Sequence, residues 1–162
     1  MIKISVCDDD EGQLTFFKQC FMEYNEKHKE KIEANFYQSV QSLLNEKKFS
    51  PDVSFLDIEL QDGNGLKLAG KIRTRNSKIP IVFITSHEEF MPEAFHVHAY
   101  QYLNEKKNAQ AVENVLNQLA DYFSEQNQIF SFQTYGEMIS LDCRDIICFT
   151  SEKRKNIVIA ES

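Results

Sequence analysis

Val53-Ser54-Phe55-Leu56-Asp57 decides the fold: a nearly all-apolar run that ends abruptly in one carboxylate. A strand of that composition is covered on both faces, as in the middle of a parallel sheet flanked by helices. Ile79 to Ile84 has the same character and makes a second central strand. Ile2 to Cys7 runs into Asp8-Asp9-Asp10, and Leu14, Phe17, Phe21 and Tyr24 then recur at three- and four-residue steps, which predicts a helix. Ile32, Ala34 and Phe36 alternate with Glu33, Asn35 and Tyr37, the pattern of an edge strand wet on one side, and Ser39 begins a helix carrying Val40, Leu43 and Leu44. Leu66, Ala69 and Ile72 mark a helix between the two central strands, and Ala99 to Leu103 is a fifth short strand. Val112, Val115, Leu116, Leu119 and Phe123 form one stripe of the last helix.

Five strands alternating with five helices predict an α/β fold, a doubly wound five-stranded parallel sheet of flavodoxin-like order 2-1-3-4-5. That order puts the half-polar second strand at an edge and the apolar third and fourth inside. After Gln126-Asn127-Gln128 the character changes to four short β-like runs: Ile129 to Phe132, Met138 to Leu141, Ile146 to Phe149 and Ile157 to Ile159. The expected organisation is therefore a domain over 1–124, a linker over 125–128 and a partial β domain over 129–162. Thirty-odd residues of β-structure bury little surface and leave strand edges open, as in a domain whose remainder is absent.

A hydrophobic share of 42% with 27% charged residues is that of a soluble globular chain, and no apolar run has the length of a membrane helix. The start, Met1-Ile2-Lys3-Ile4, leads to three aspartates within ten residues, which is incompatible with a secretory signal and predicts a cytoplasmic location. Cys7, Cys20, Cys143 and Cys148 contain no C-x-x-C pair, so buried free thiols are expected rather than a disulfide or metal site. A net charge of -7 excludes nucleic-acid binding by bulk electrostatics.

Ligands of a doubly wound sheet bind beyond the carboxyl ends of its strands. Asp8 and Asp9 follow strand 1, Asp57 ends strand 3, and Thr85 with Ser86 ends strand 4. Strands 1 and 3 are neighbours in this order, so three carboxylates converge on one rim. Two carboxylates about 4 Å apart repel by about 4 kcal/mol at an effective dielectric near 20, so the cluster needs a cation or a shared proton. Oxygen ligands at a partly open rim suit Mg2+. An exposed Asp57 carboxylate on a fixed base has the posture of a nucleophile for phosphoryl transfer, with Thr85 as a donor to the phosphoryl oxygens. The bland alternative is that Asp8 to Asp10 cap the first helix and Asp57 begins a turn.

With these stretches, Val6 to Asp10, Phe55 to Leu60 continuing through Asn64-Gly65-Leu66, Ile81 to Ser86, and Ala99 to Leu103, the chain resembles the receiver domain of two-component response regulators over residues 1 to about 124. The resemblance implies Asp57 as phosphoacceptor and Asp8, Asp9, Asp57 and the Glu59 backbone carbonyl as the Mg2+ site. It implies Thr85 as the switch hydroxyl, Tyr102 as the aromatic that reorients with it, and a sensor histidine kinase as partner, with homodimerisation on phosphorylation. Two departures stand out. Glu105 occupies the position of the family's phosphoryl-contacting lysine, leaving Lys106 as the candidate contact, and Gln61 replaces a usual proline, which implies a freer loop.

The tail resembles the first strands of a LytTR-type DNA-binding domain, in Phe130-Ser131-Phe132, Gly136, Leu141, Asp145-Ile146-Ile147 and the loop Ser151 to Asn156. Lys153, Arg154 and Lys155 in that loop are candidate phosphate contacts, with DNA binding expected only of a fuller form and no membrane partner. His96 and His98 read as a helix end and strand entry rather than metal ligands, and Phe90, Phe95, Tyr100 and Tyr102 as core or partner surface. Three functions compete: a transcriptional response regulator, a pseudo-receiver that dimerises without phosphorylation, and an aspartate-nucleophile phosphatase. The last wants a second aspartate two residues after the nucleophile, where Glu59 stands. No enzymatic activity beyond self-phosphorylation and self-dephosphorylation at Asp57 is expected.

Overall fold

The computed structural model describes residues 1–46, 50–85, 88–103, 108–126, 129–134, 137–142, 146–152 and 155–160. The chain divides into two compact units, Met1–Leu116 and Asn117–Ser162. In the first, β1 (Ile2–Cys7), β2 (Ile32–Tyr37), β3 (Val53–Asp57), β4 (Ile81–Ile84) and β5 (Gln101–Leu103) form a five-stranded sheet in the order β2-β1-β3-β4-β5. All of its pairings are parallel. The doubly wound order read from the sequence is thus the observed one.

The helices α1 (Glu11–Lys27), α2 (Val40–Asn45), α3 (Gly65–Arg75), α4 (Met91–His96) and α5 (Ala109–Gln126) alternate with the strands. Their starts are set by side chains that accept the unpaired first-turn amides. Asp10 accepts from Gly12 and Gln13 at α1, Ser39 from Ser42 at α2, Asn64 from Leu66 and Lys67 at α3, and Asn108 from Ala111 at α5. At α4 a proline, Pro92, stands in the first turn, where its missing N–H costs nothing. The boundary between the two compact units falls inside α5, whose Val112, Val115, Leu116 and Leu119 are buried while Phe123 is half-buried.

β3 and β4 are buried along their whole lengths, as their composition demands. On one face of β3, Phe55 meets Phe17 and Phe21 of α1 edge-on, with ring centroids 5.9 Å apart in both pairs. On the other, Leu56 joins Ile58, Leu68, Ala69, Ile72 and Phe83 in a second cluster. Ser5 and Ser54 sit side by side in the β1–β3 register and share a buried hydroxyl hydrogen bond of 2.8 Å. β2 is the edge strand, but its alternation is less clean than its sequence implies: Tyr37 is buried and Phe36 half-buried, because the end of β2 lies beside β1 and the start of α2.

Past β4, Phe95 is 82% exposed whereas Phe90, Tyr100 and Tyr102 are half-buried, so the four aromatics divide between surface and core. His96 ends α4, and His98 takes a left-handed backbone with φ of 53°. The Arg73 guanidinium holds that turn, donating to the carbonyls of Ser77, Ile79, Val97 and His98. In the second unit, β6 (Ile129–Thr134) pairs antiparallel with β7 (Glu137–Asp142), and β8 (Ile146–Glu152) with β9 (Lys155–Ala160), giving two hairpins. Among the described residues, no helix is long and apolar enough to cross a membrane.

Candidate functional site

The register of the sheet assembles the site. Cys7 pairs with Leu56, so Asp8 follows β1 at the level where Asp57 closes β3, and Asp57 in turn pairs with Ile84, the residue before Thr85. Asp8, Asp9 and Asp57 each offer a carboxylate oxygen, and these oxygens lie within 4.8 Å of one another. The three aspartates that follow one another in sequence divide their work. Asp10 caps α1, while Asp8 Oδ1 accepts the Asp10 amide at 2.9 Å and thereby turns the loop so that Asp8 and Asp9 face Asp57.

Asp57 is more enclosed than the exposed nucleophile expected from the sequence. It is 2% exposed and Asp8 is fully buried, because helices cover both faces of β3; Asp9 is half-buried. Asp57 Oδ1 accepts the amide of Ile58 at 2.8 Å, which fixes the side chain about its own backbone. Gathered carboxylates this deeply placed are costly without a counter-charge, and an all-oxygen set of this kind fits a hard divalent cation such as Mg2+. The cluster also acts on its neighbour Cys7. Burial, then the charges of Asp62, Asp8, Asp57 and Asp9, push that thiol up to about 12, so it is a neutral wall beneath the carboxylates.

Thr85 is buried and follows Ile84, the register partner of Asp57, and its amide donates to the Leu103 carbonyl at 3.0 Å, joining the ends of β4 and β5. Tyr102 lies opposite Phe83, half-buried against the second core cluster. Glu59 opens a two-residue hairpin in which Glu59–Leu60 pairs with Gly63–Asn64, and its side chain is exposed. Glu105 and Lys106 lie outside the described residues, as do Ser86, Gly136, Cys143, Asp145, Lys153 and Arg154; Lys155 is described only as the first residue of β9. Cys7 and Cys20 are buried free thiols and Cys148 is an exposed one.

Three features of the hairpin after Asp57 were not legible as such. The Gln61 amide donates to Asp9 Oδ2 at 3.0 Å, a bond that a proline has no N–H to make and that the expectation of a freer loop leaves out of account. Asp62 accepts the amides of Val40 and Gln41 at 2.9 and 3.0 Å, bonds that hold its carboxyl below the usual carboxylate range. Gly65 donates its amide to the Ile58 carbonyl at 2.8 Å and passes so close to the Asp57 backbone that a side chain has no room. The Asp-Gly-Asn-Gly run carries the turn chemistry, but its partners are distant in sequence.

The family model described as the response regulator receiver domain matches residues 4–117. A response regulatory protein of Yersinia pestis is 29% identical over 120 residues, covering 74% of this chain and 49% of that protein. The sensory transduction protein LytR of Staphylococcus haemolyticus is 32% identical over 111 residues, covering 68% of this chain and 42% of that protein. The matched region thus spans about half or less of these curated relatives. Among solved structures, the response regulatory domain of protein mrkE from Klebsiella pneumoniae superposes with a TM-score of 0.67 at 23% identity, covering 77% of this chain and all of that one. The response regulator TrrA from Thermotoga maritima, solved with Mg2+ and beryllofluoride, does so with a TM-score of 0.63 at 22% identity, over 74% of this chain and 99% of that one. With its doubly wound sheet and the family match running from β1 into α5, the chain belongs to the response regulator receiver domain family.

Proposed function

We propose that Asp57 accepts a phosphoryl group from a sensor histidine kinase and that this event drives a transcriptional output. The observation that carries the reading is the convergence of Asp8, Asp9 and Asp57 to within 4.8 Å at the carboxyl end of the sheet. An Asp57 carboxylate oxygen attacks phosphorus as the P–N bond of the donor phosphohistidine breaks, and the released imidazole takes up a proton. Asp8, Asp9, Asp57 and the Glu59 backbone carbonyl are the groups that would hold Mg2+, which supplies positive charge against both the carboxylates and the phosphoryl oxygens.

The chain's own contribution is orientation. The Ile58 amide fixes the Asp57 side chain in one orientation at the end of the buried strand β3. The new group adds a charge of about -1.5 to -2, toward which the Thr85 hydroxyl turns, with Tyr102 following and the α4–β5–α5 face changing shape. That face then pairs two copies, and a LytTR-type domain begun by the β6–β9 hairpins contacts DNA in a fuller form, with Lys153, Arg154 and Lys155 as phosphate contacts. The likeness to the sensory transduction protein LytR of Staphylococcus haemolyticus supports the signalling role, and the sequence resemblance of the tail supports the LytTR-type output. The domain reading, 1–124 with a linker over 125–128 and a partial β domain over 129–162, belongs to the same proposal, as does action in the cytoplasm.

Incubation with phosphoramidate and Mg2+, followed by intact-mass spectrometry, is expected to add one phosphate to the parent chain and none to Asp57→Asn. An unchanged mass in the parent would refute phosphoacceptance. Glu105, in place of the usual lysine, favours a second reading as a pseudo-receiver that pairs without phosphorylation. In that case beryllofluoride leaves the Mg2+ response of the chain unaltered. Lys106 is the candidate phosphoryl contact in the first reading only, and Lys106→Ala there slows phosphate uptake.

A further inference from the structure

The hairpin between β3 and α3 holds more of the acidic cluster than its sequence suggests. Asp9 is the least buried member of the cluster and follows a strand at its end, so nothing in β1 itself fixes its side chain against repulsion from Asp8 and Asp57. The contact that does so comes from 52 residues away: the backbone N–H of Gln61 donates to Asp9 Oδ2 at 3.0 Å. The donor is itself held in place. Its neighbour Asp62 is fastened to the amides of Val40 and Gln41, and the hairpin arms pair Glu59 with Asn64 and Leu60 with Gly63. One Asp9 oxygen is thus bound by a fixed amide while an oxygen of the same carboxylate group lies within 4.8 Å of those of Asp8 and Asp57.

We infer that the Gln61 backbone N–H is a positioning donor for the cation site, holding Asp9 in its ligating orientation and raising the affinity of the cluster for Mg2+. The inference rests on the reading of Asp8, Asp9 and Asp57 as that site. The Gln61 side chain is exposed and takes no part, so the backbone N–H is the only group of the residue that acts. Donors of this kind, one bond removed from the ion, change metal affinity by about 10- to 100-fold. Substitution by proline deletes the N–H, while substitution by alanine keeps it.

The test is an NMR titration of the full chain with Mg2+, read on the amides around Asp9 and Ile58, for the parent, Gln61→Ala and Gln61→Pro. Gln61→Ala is expected to bind as the parent does, and Gln61→Pro about tenfold more weakly, with both variants keeping the circular dichroism spectrum of the folded parent. A second reading needs no metal: amide exchange at Gln61 should be slow in the parent and fast in Asp9→Ala. Equal Mg2+ affinity in the parent and Gln61→Pro, or fast exchange at Gln61 in the parent, overturns the role of the amide while leaving the cation site standing. A parent chain that shows no Mg2+ response overturns the cation site, and this inference with it.

Discussion

Replacing Gly65 by alanine tests how tightly the acceptor strand and α3 are joined. A Cβ built at Gly65 falls on the Asp57 carbonyl oxygen and lies 2.9 Å from the carbonyl carbon of Asp57 and 3.0 Å from the Ile58 Cα, where ordinary contact begins at 3.4 Å. All of these are backbone atoms, so relief requires a shift of β3 against α3 rather than a rotamer change. Overpacking costs about 1–3 kcal/mol, the upper end where backbone must move, and the hydrogen bond from Gly65 to the Ile58 carbonyl, 2.8 Å long, contributes about 1 kcal/mol more if it breaks. Alanine recovers less than about 1 kcal/mol in helix propensity, leaving a net loss of about 3 kcal/mol. At about 2–4 °C per kcal/mol for a chain of this size, the thermal midpoint falls by about 6–12 °C. Gly70, in the same helix, is the control. A Cβ there meets nothing within 4 Å, so Gly70→Ala should stabilise by about 0.5–1 kcal/mol. Both are read by far-ultraviolet circular dichroism on heating. A Gly65→Ala midpoint close to that of the parent would refute the steric reasoning.

Other outcomes follow from the same contacts. Asp10→Ala removes the α1 cap and is expected to cost about 1 kcal/mol in urea unfolding while leaving Mg2+ binding intact, since Asp10 is outside the carboxylate cluster. Burial pushes the Cys7 and Cys20 thiols up to about 12 and about 11, so a thiol reagent at pH 8 should label the exposed Cys148 in the native chain and reach Cys7 and Cys20 only after denaturation, as mapped by peptide mass. The Asp62 carboxyl is lowered by the amides of Gln41 and Val40, so its contribution to stability is complete above the ordinary aspartate range and is lost as pH falls through its lowered native value. In Asp62→Asn the acid limb of the stability profile should therefore be shallower than in the parent.

The sheet order was legible because β3 and β4 are apolar on both faces and β2 is not, a contrast that composition alone carries. The convergence of Asp8, Asp9 and Asp57 followed from that order, since adjacent parallel strands bring their ends to one rim. Which aspartate capped α1 did not follow: Asp8, Asp9 and Asp10 are chemically alike, and the register of the first helical turn selects Asp10. Tyr37, placed on the wet side of β2 by alternation, is buried, because periodicity reports which side of an element a residue faces and not what lies beyond it. The contacts of Gln61, Asp62 and Gly65 were hidden for a related reason. Each is a backbone or turn contact made across the fold, and one-dimensional patterns carry no record of such partners.

The hydroxyl pair between Ser5 and Ser54 ties together the fates of two sites 49 residues apart. Parallel strands offset by one residue shift by about 3.3 Å, which would carry Asp8 and Asp57 out of step, and in that offset neither hydroxyl would find the other. Losing one serine alone strands its mate in the dry interior, at about 1–3 kcal/mol, whereas losing both to small apolar residues is nearly neutral. Substitution history at positions 5 and 54 should therefore be concerted, with hydroxyls retained or discarded as a couple.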